Sequence, residues 1–538
     1  MSAIAEAREP AEARPLAEAR PPLSVWMEMR PALDGFYGIP QETRLLFSAL
    51  AGLPDLELAG FLQMSKRVLR GGSYGKRRSK AGIHRSAQVV VSLKGRTAVD
   101  WKSDVGEWLQ ERVHAALLRW RTWVGGVVPV GRFDGAAFTD FLWQELFGRT
   151  LPADDRQRVL AWTQYWICAE PWRWMHLAGI ERAQILGDSR YPRVATRGAD
   201  ILIAQTPFPG RVSKGTALVV HYHDAIPVLM PHTISDRAFH QASHYHAMAA
   251  NVANGAYFAC VSEATRRDLL GLFPDAEERS ETLYNMMPSH YFPGPPDPEQ
   301  LPGIVRRYAH TQFTGQTHAP SGSKSREKTW ALSRRFRSEG ERAAFLSESL
   351  GPGCRFLLMV STIEPRKNHA RLLAAWEVLH MQDPQLKLIL VGHIGWDYEQ
   401  ALESMVPWIE EGSLFLLQNV PAESLRLLFR QALVTVCPSV GEGFDFSGIE
   451  AMRCGGVTVA SGIPVHREVY GEATLYFDPY DTADLLRVLR PLLEGEDSGR
   501  RREALRERGV AHSARYLPER ILPQWDRFLR NVAASHSR

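Results

Sequence analysis

The sequence predicts an α/β protein made of two doubly wound domains with parallel sheets. Three observations carry this. Near-continuous apolar runs such as TALVVHYHD (216–224) and LKLILVG (386–392) have the composition of strands buried on both faces. From Arg355 onward such runs alternate with helical segments through six short-looped βα units. The length, 538 residues, exceeds what a single hydrophobic core supports.

Residues 1–22 are rich in Ala, Glu, Arg and Pro and read as a disordered tail. The first domain, 23–302, opens with a strand over Ser24 to Leu33. A loop with Gly35 and Gly38 follows, then an amphipathic helix with Pro40 in its first turn and a second strand from Leu56 to Leu62. Gly35 and Gly38 do not make a G-x-G-x-x-G fingerprint and equally suit a tight turn. The basic, Gly-rich stretch 67–82 reads as a surface loop.

Residues 101–175 hold nine of the fifteen tryptophans: Trp101, Trp108, Trp120, Trp123, Trp143, Trp162, Trp166, Trp172 and Trp174. They fit helices packed on the sheet, or a surface at a bilayer interface, or both at different positions. Strand signals return at GADILIAQ, TALVVHYHD and GAYFACVSE, with Ser262 the expected cap of the next helix. Periodicity dissolves over 303–345, a linker or insertion. In the second domain, 346–515, the strands RFLLMV, LKLILVG, SLFLL, LVTVC, VTVA and TLYF precede helices starting near Asn368, Trp396, Pro421, Ser447, Pro464 and Asp481. A last helix, 516–538, follows it and is placed to cross back.

A net charge of +4 over this length argues against a nucleic-acid binder. Five scattered cysteines without a C-x-x-C pair argue against a disulfide framework or structural zinc and fit a reducing compartment. No run reaches the roughly 18 apolar residues of a membrane span, so a cytoplasmic protein is expected.

Three clusters fall at the C-terminal ends of expected strands, where open α/β sheets bind ligands. HYHD places His223 and Asp224 after the Leu218–Val220 run of the first domain; a lone His there is often structural. STIEPRKNH places Arg366 and Lys367 just before a helix with Asn368 as cap, an arrangement that suits a pyrophosphate unless the two charges are merely solvated. CPSVGEGFDFSGIEAMRCGG (437–456) runs from a strand through Glu442, Gly443 and Phe444 to a helix expected at Ser447. Free backbone N–H groups at that helix start offer a phosphate seat, and Glu442 and Glu450 can bind sugar or ribose hydroxyls. Ser447 and Glu450 also match the S-x-x-E capping box, so Glu450 has a structural explanation. Glu442, beside a glycine turn, has none that is evident.

On STIEPRKN, VGHIGW, PSVGEGF…E, CGGVTVASGIPVHREVYG and LYFDPYD, the chain resembles the retaining glycosyltransferases of family 4, over residues 23 to 530. The resemblance implies the GT-B fold, two Rossmann-like domains facing each other across a cleft. It implies that Glu442 contacts the donor sugar, Glu450 the ribose hydroxyls, and Arg366 with Lys367 the phosphates. Gly443, Phe444, Asp445, Phe446, Ser447 and Thr362 would complete the donor site. His223 matches the family's first-domain histidine, and Gly35 to Ile39, with Gly38, its glycine loop. Ser361-Thr362 stands where many members have arginine. Asp445 and Ser447 replace a glycine and a proline, and an acidic Asp445 beside a pyrophosphate is unfavourable unless it points away or binds sugar hydroxyls.

The resemblance further implies hexose transfer with retention of configuration, from a nucleotide sugar to a glycan or lipid-linked glycan, in cell-surface polysaccharide synthesis. No metal or cofactor is expected. The STIEPRKN form looks most like bacterial polysaccharide mannosyltransferases and favours GDP-mannose over a UDP-sugar. Peripheral contact with the inner membrane follows if the acceptor is lipid-linked. Asp224 is expected to fix the tautomer of His223. Two other classes stay open: a nicotinamide-dependent oxidoreductase, which should show a glycine fingerprint, and a non-catalytic nucleotide-sugar-binding or scaffold protein.

Overall fold

A computed structural model describes residues 22–35, 38–73, 81–94, 101–309, 312–313, 333–351 and 353–536. The expected tail and the middle of the expected linker therefore lie outside the described residues, as do part of the basic Gly-rich loop and Phe36-Tyr37.

The first sheet contains β1 (Leu23–Glu28), β2 (Leu56–Leu62), β3 (Val130–Asp134), β4 (Gln164–Cys168), β5 (Ile201–Ala204), β6 (Ala217–Tyr222), β7 (Tyr257–Cys260) and β8 (Ser280–Thr282). Their spatial order is β8-β7-β6-β5-β1-β2-β4-β3. All pair in parallel except β3 with β4. Every residue of β6 is buried, as its unbroken apolar composition requires of a strand covered on both faces. β1 ends at Glu28 rather than Leu33, because Pro31 lies in the first turn of a short helix, Arg30–Leu33.

The tryptophan-rich region supplies strands as well as helices, which the count of tryptophans alone did not reveal. Trp166 lies on β4 and stacks on Trp26 of β1 at 4.3 Å, and Trp174 is buried. Trp120 and Trp123, at the end of the Trp101–Trp123 helix, are 62% and 74% exposed. The side chains of Trp101 and Trp108 are outside the described residues.

The second sheet holds β9 (Arg355–Val360), β10 (Leu386–Val391), β11 (Leu414–Leu417), β12 (Val434–Cys437), β13 (Thr458–Ser461) and β14 (Leu475–Phe477). It is wholly parallel, in the order β11-β10-β9-β12-β13-β14. The order reverses between β9 and β12, which puts the switch-point crevice at the loops after those two strands. Described parts of 303–345 are not a free linker. Ile304 and Val305 of the Leu301–Tyr308 helix pack with Leu346, Phe356 and Ile389 in the second domain's core.

The last helix, Pro518–His536, returns to the first domain and buries Ile521, Trp525, Phe528 and Leu529 in that domain's core. Each such aliphatic or aromatic side chain contributes about 1.5–3 kcal/mol when fully buried. Trp525 meets the His221 ring edge-on at 5.1 Å. Ser262 caps its helix as expected, accepting from the Thr265 N–H at 3.1 Å.

Candidate donor site in the interdomain cleft

A cavity of about 370 Å³ lies where the loops after β9 and β12 face the loop after β6. Gly38 and His223 line it from the first domain; Thr362, Arg366, Lys367, Glu442 and Glu450 line it from the second. The run Gly443 to Ser447 completes that wall. Gly35 is not part of the lining. It lies one step back, with φ +52°, and its carbonyl accepts from the buried Arg44 guanidinium at 2.8 Å. Arg44 also donates to the carbonyls of Ala32 and Leu146 and so braces the whole glycine loop. Nothing in the sequence pattern marked Arg44, because an arginine on an amphipathic helix reads as solvated. Gly38 starts the Ile39–Leu50 helix at φ +70°, a conformation that favours glycine.

Arg366 and Lys367 sit on a tight turn, Pro365–Lys367. Asn368 follows in the left-handed conformation, but its side chain is not the expected cap. Its amide donates instead to the carbonyls of Pro438 and Pro479, at 3.0 and 2.9 Å, and so ties this turn to the loops after β12 and β14.

Glu442 has a structural partner that the sequence did not suggest. It accepts from Arg366 Nη1 at 2.5 Å and from Lys367 Nζ at 2.6 Å. Burial works against the Glu442 charge, but Arg366 and Lys367 outweigh it and hold the carboxyl below its ordinary range. Arg366 also donates to Glu364 at 2.7 Å, and against the cost of burial Glu442, Glu364 and Asp224 keep it firmly cationic.

Asp445, not Ser447, caps the following helix, which begins at Phe446. Its carboxylate accepts from the Ser447 N–H at 3.2 Å and hydroxyl at 2.7 Å, and from His466 Nε2 at 3.2 Å. Although burial opposes its charge, His466, Lys367 and Ser447 together press its pKa far below the usual carboxylate range. The acid lines the cavity but is engaged by Ser447 and His466. With the helix starting at Phe446, the S-x-x-E box does not form. Glu450 sits in the second turn and accepts from Gln41 Nε2 of the first domain at 2.8 Å. Burial raises Glu450 to about 8, so it is largely protonated at neutral pH. Phe444 is buried against Tyr516 and Phe446, with ring centroids 5.3 Å away in both cases.

Gly443 answers a steric demand. A Cβ there would lie 1.8 Å from the His223 carbonyl oxygen, so the two walls approach as closely as they do only because this residue is glycine. Its own carbonyl accepts from Ser262 Oγ at 2.8 Å. Further clasps join the domains. Glu468 accepts from the Glu263 and Ala264 N–H groups at 2.5 and 2.7 Å, and Trp396 Nε1 donates to the Thr233 carbonyl at 2.9 Å. Trp396 and Gln41 line the cavity too, and only Trp396 fell in a quoted motif.

His223 is half-buried, and its Nε2 is shielded from solvent and has no hydrogen-bond partner. Burial lowers it to about 3, so the ring is neutral. Asp224 does not fix its tautomer; that carboxylate accepts from the Ile226 N–H at 3.0 Å.

Residues 347–511 match the family described as glycosyl transferases group 1, and the second domain is therefore a glycosyl transferases group 1 domain. With two facing Rossmann-like sheets, the molecule has the GT-B fold. A sucrose-phosphate synthase from Thermosynechococcus elongatus shares that fold at a TM-score of 0.54 and 14% identity, over 95% of this chain and 100% of that one. Among curated proteins, the chain is similar to "O-antigen chain mannosyltransferase B" of Escherichia coli, 34% identical over 170 residues, 31% of this chain and 44% of that protein. It is also similar to "O-antigen chain mannosyltransferase RfbU" of Salmonella typhimurium, 32% identical over 127 residues, 23% of this chain and 35% of that protein. The chain thus spans less than half the length of these curated relatives.

Proposed function

We propose that the protein is a retaining glycosyltransferase that moves a hexose, with mannose favoured, from a nucleotide sugar to a glycan or lipid-linked glycan in cell-surface polysaccharide synthesis. One observation carries the reading. A cleft cavity sets Arg366, Lys367 and Glu442 in mutual contact on one wall and the neutral His223 on the other. The similarity of part of the chain to O-antigen mannosyltransferases supports mannose and hence GDP-mannose as donor.

In this reading the acceptor hydroxyl oxygen bonds to the anomeric carbon as the bond from that carbon to the diphosphate oxygen breaks. The acceptor's proton passes to the departing diphosphate, which leaves from the same face. Arg366 and Lys367 stabilise the charge developing on that diphosphate, and the reaction asks for no metal. When the donor binds, these cations turn from Glu442 to the phosphates and release Glu442 to the sugar hydroxyls. Glu450, protonated, meets the ribose, and His223 orients the donor through its unpartnered nitrogen.

Incubation with a panel of nucleotide sugars and measurement of nucleotide release tests this directly. GDP-mannose should give the fastest release, and Lys367→Ala or Glu442→Ala should lower it by about one to three orders of magnitude. Near-normal release from both variants would remove the assignment.

Peripheral membrane contact belongs to the same proposal. Among the described residues no helix is long and apolar enough to cross a membrane, but the exposed Trp120 and Trp123 suit an interface. Their replacement by serine should cut co-sedimentation with anionic liposomes; wild-type protein that stays in the supernatant would eliminate the idea.

A further inference from the structure

At the end of β9 opposite the donor-side cavity, a smaller cavity of about 210 Å³ opens among Pro296, Pro298, Gly351, Phe356, Arg430 and Arg506. Arg430 comes from the Ala422–Gln431 helix and Arg506 from the Ser498–Ser513 helix. Among the described residues no acidic side chain lines the cavity. Asp297 stands between two of the lining prolines, but its carboxylate accepts from the Gln300 amide.

The two guanidinium groups are held in place and incompletely matched. Arg430 donates to the Gly455 carbonyl at 2.8 Å. Gly455 makes room for it, since a Cβ there would lie 2.8 Å from Arg430 Nη1. Among the described residues Arg430 makes no ion pair, and its Nε is shielded from solvent and without a partner. Arg506 Nε is unmatched in the same way, and its carboxylate partner, Glu503 at 3.0 Å, is exposed, where such a pair is weak. More positive charge stands beside them. Burial lowers Arg502 from its ordinary range, and Arg506 and Arg355 lower it further with no carboxylate to offset them. Buried polar atoms are rarely left unmatched, and guanidinium groups gathered without counter-charge repel one another. An anion in the cavity answers both. Arginine forks fit the tetrahedral oxygens of phosphate, and the cavity is below the usual size of pockets for drug-sized ligands, so a nucleotide is too large for it.

We propose that this cavity is a second anion site, which takes inorganic phosphate or the phosphate group of a small ester against Arg430 and Arg506. It is separate from the cations at Arg366 and Lys367, and its test does not depend on glycosyl transfer.

The test is calorimetric titration of inorganic phosphate into the full chain at constant ionic strength, with GDP in excess to occupy the cleft. The wild type should bind phosphate, and Arg430→Gln should weaken it about tenfold or more. Pro296 is exposed at the rim. Pro296→Glu should weaken binding about threefold and Pro296→Lys should tighten it, both with an unchanged unfolding midpoint. Glycerol 3-phosphate and vesicles of phosphatidic acid, run in parallel, tell a soluble ester from a lipid headgroup. No phosphate binding by the GDP-loaded wild type, equal affinity in Arg430→Gln, or the same affinity with either charge at position 296 would overturn the proposal. If Arg430→Gln fails to fold, the Pro296 pair, which alters no guanidinium, decides.

Discussion

On the second-domain wall of the cleft, charges are buried and matched to one another: Glu442 with Arg366 and Lys367, Asp445 with His466. On the first-domain wall the buried groups at His223, His176 and Gln205 are neutral and include unmatched atoms. The difference follows from what burial costs. An isolated buried charge is untenable, so a site for a charged ligand must carry its own counter-charge until the ligand arrives. An unmatched neutral N–H costs about 1–3 kcal/mol, which a fold can bear. A charged ligand at the second-domain wall would therefore have to displace an internal partner, whereas a neutral ligand at the first-domain wall would only fill a space.

The contrast depends on the two walls being held together, so the largest effect is expected at Gly443. Gly443→Ala would drive a Cβ into the His223 carbonyl and part the walls. Transfer should fall by about 100-fold or more, the cost of misplacing reacting groups by an ångström. Small-angle scattering should show a wider particle, and an unchanged profile with full activity would mean the close approach is dispensable.

Asp445→Gly tests whether the second wall needs its internal charge matching. It removes the helix cap and the His466 contact while relieving a non-glycine residue at φ +63°. The net loss should be on the order of 1–2 kcal/mol in urea unfolding. A more stable variant would show that backbone strain outweighs both contacts.

An effect of comparable size concerns Glu450, the one carboxyl of the two family-matched glutamates that is held as an acid. Its pKa is raised by burial from an ordinary 4.5 to about 8. The unfolded chain gives up this proton near pH 4.5 and the folded one keeps it to about pH 8. The stability it contributes is full below 4.5 and lost as pH rises through 8. Glu450→Gln keeps an acceptor for Gln41 and should gain on the wild type between pH 5 and 8, by on the order of 2 kcal/mol. A difference independent of pH would mean Glu450 is ionised throughout.

The strands of the second domain were legible to within a residue because they are short, apolar and regularly spaced, whereas the helix expected near Trp396 begins at Glu399 and the Ser498–Ser513 helix went unmarked. The run RFLLMV is the strand Arg355–Val360 itself. What failed were features set by partners distant in sequence. The capping box at Ser447 was a correct local pattern, overridden because Asp445 takes the cap and His466 holds Asp445 in place. Gly443 read as a phosphate-loop glycine, yet its requirement comes from His223, on the other domain. Glu442 seemed free of structural duty because Arg366 and Lys367 lie 76 and 75 residues away. In the tryptophan-rich region, β3 and β4 were hidden by composition: aromatic residues suit strand, helix core and interface alike, and only the stacking of Trp166 on Trp26 decides among them.

Calorimetric titration of GDP into the wild type, Lys367→Ala and Glu442→Gln tests most directly the claim that the second wall keeps its cations for a diphosphate. Lys367→Ala should weaken GDP binding by about tenfold or more, as loss of a charge-assisted contact requires. Glu442→Gln should bind at least as tightly as the wild type, because the cations no longer have to leave a carboxylate. Equal affinity in the wild type and Lys367→Ala, or weaker binding to Glu442→Gln, would contradict the account.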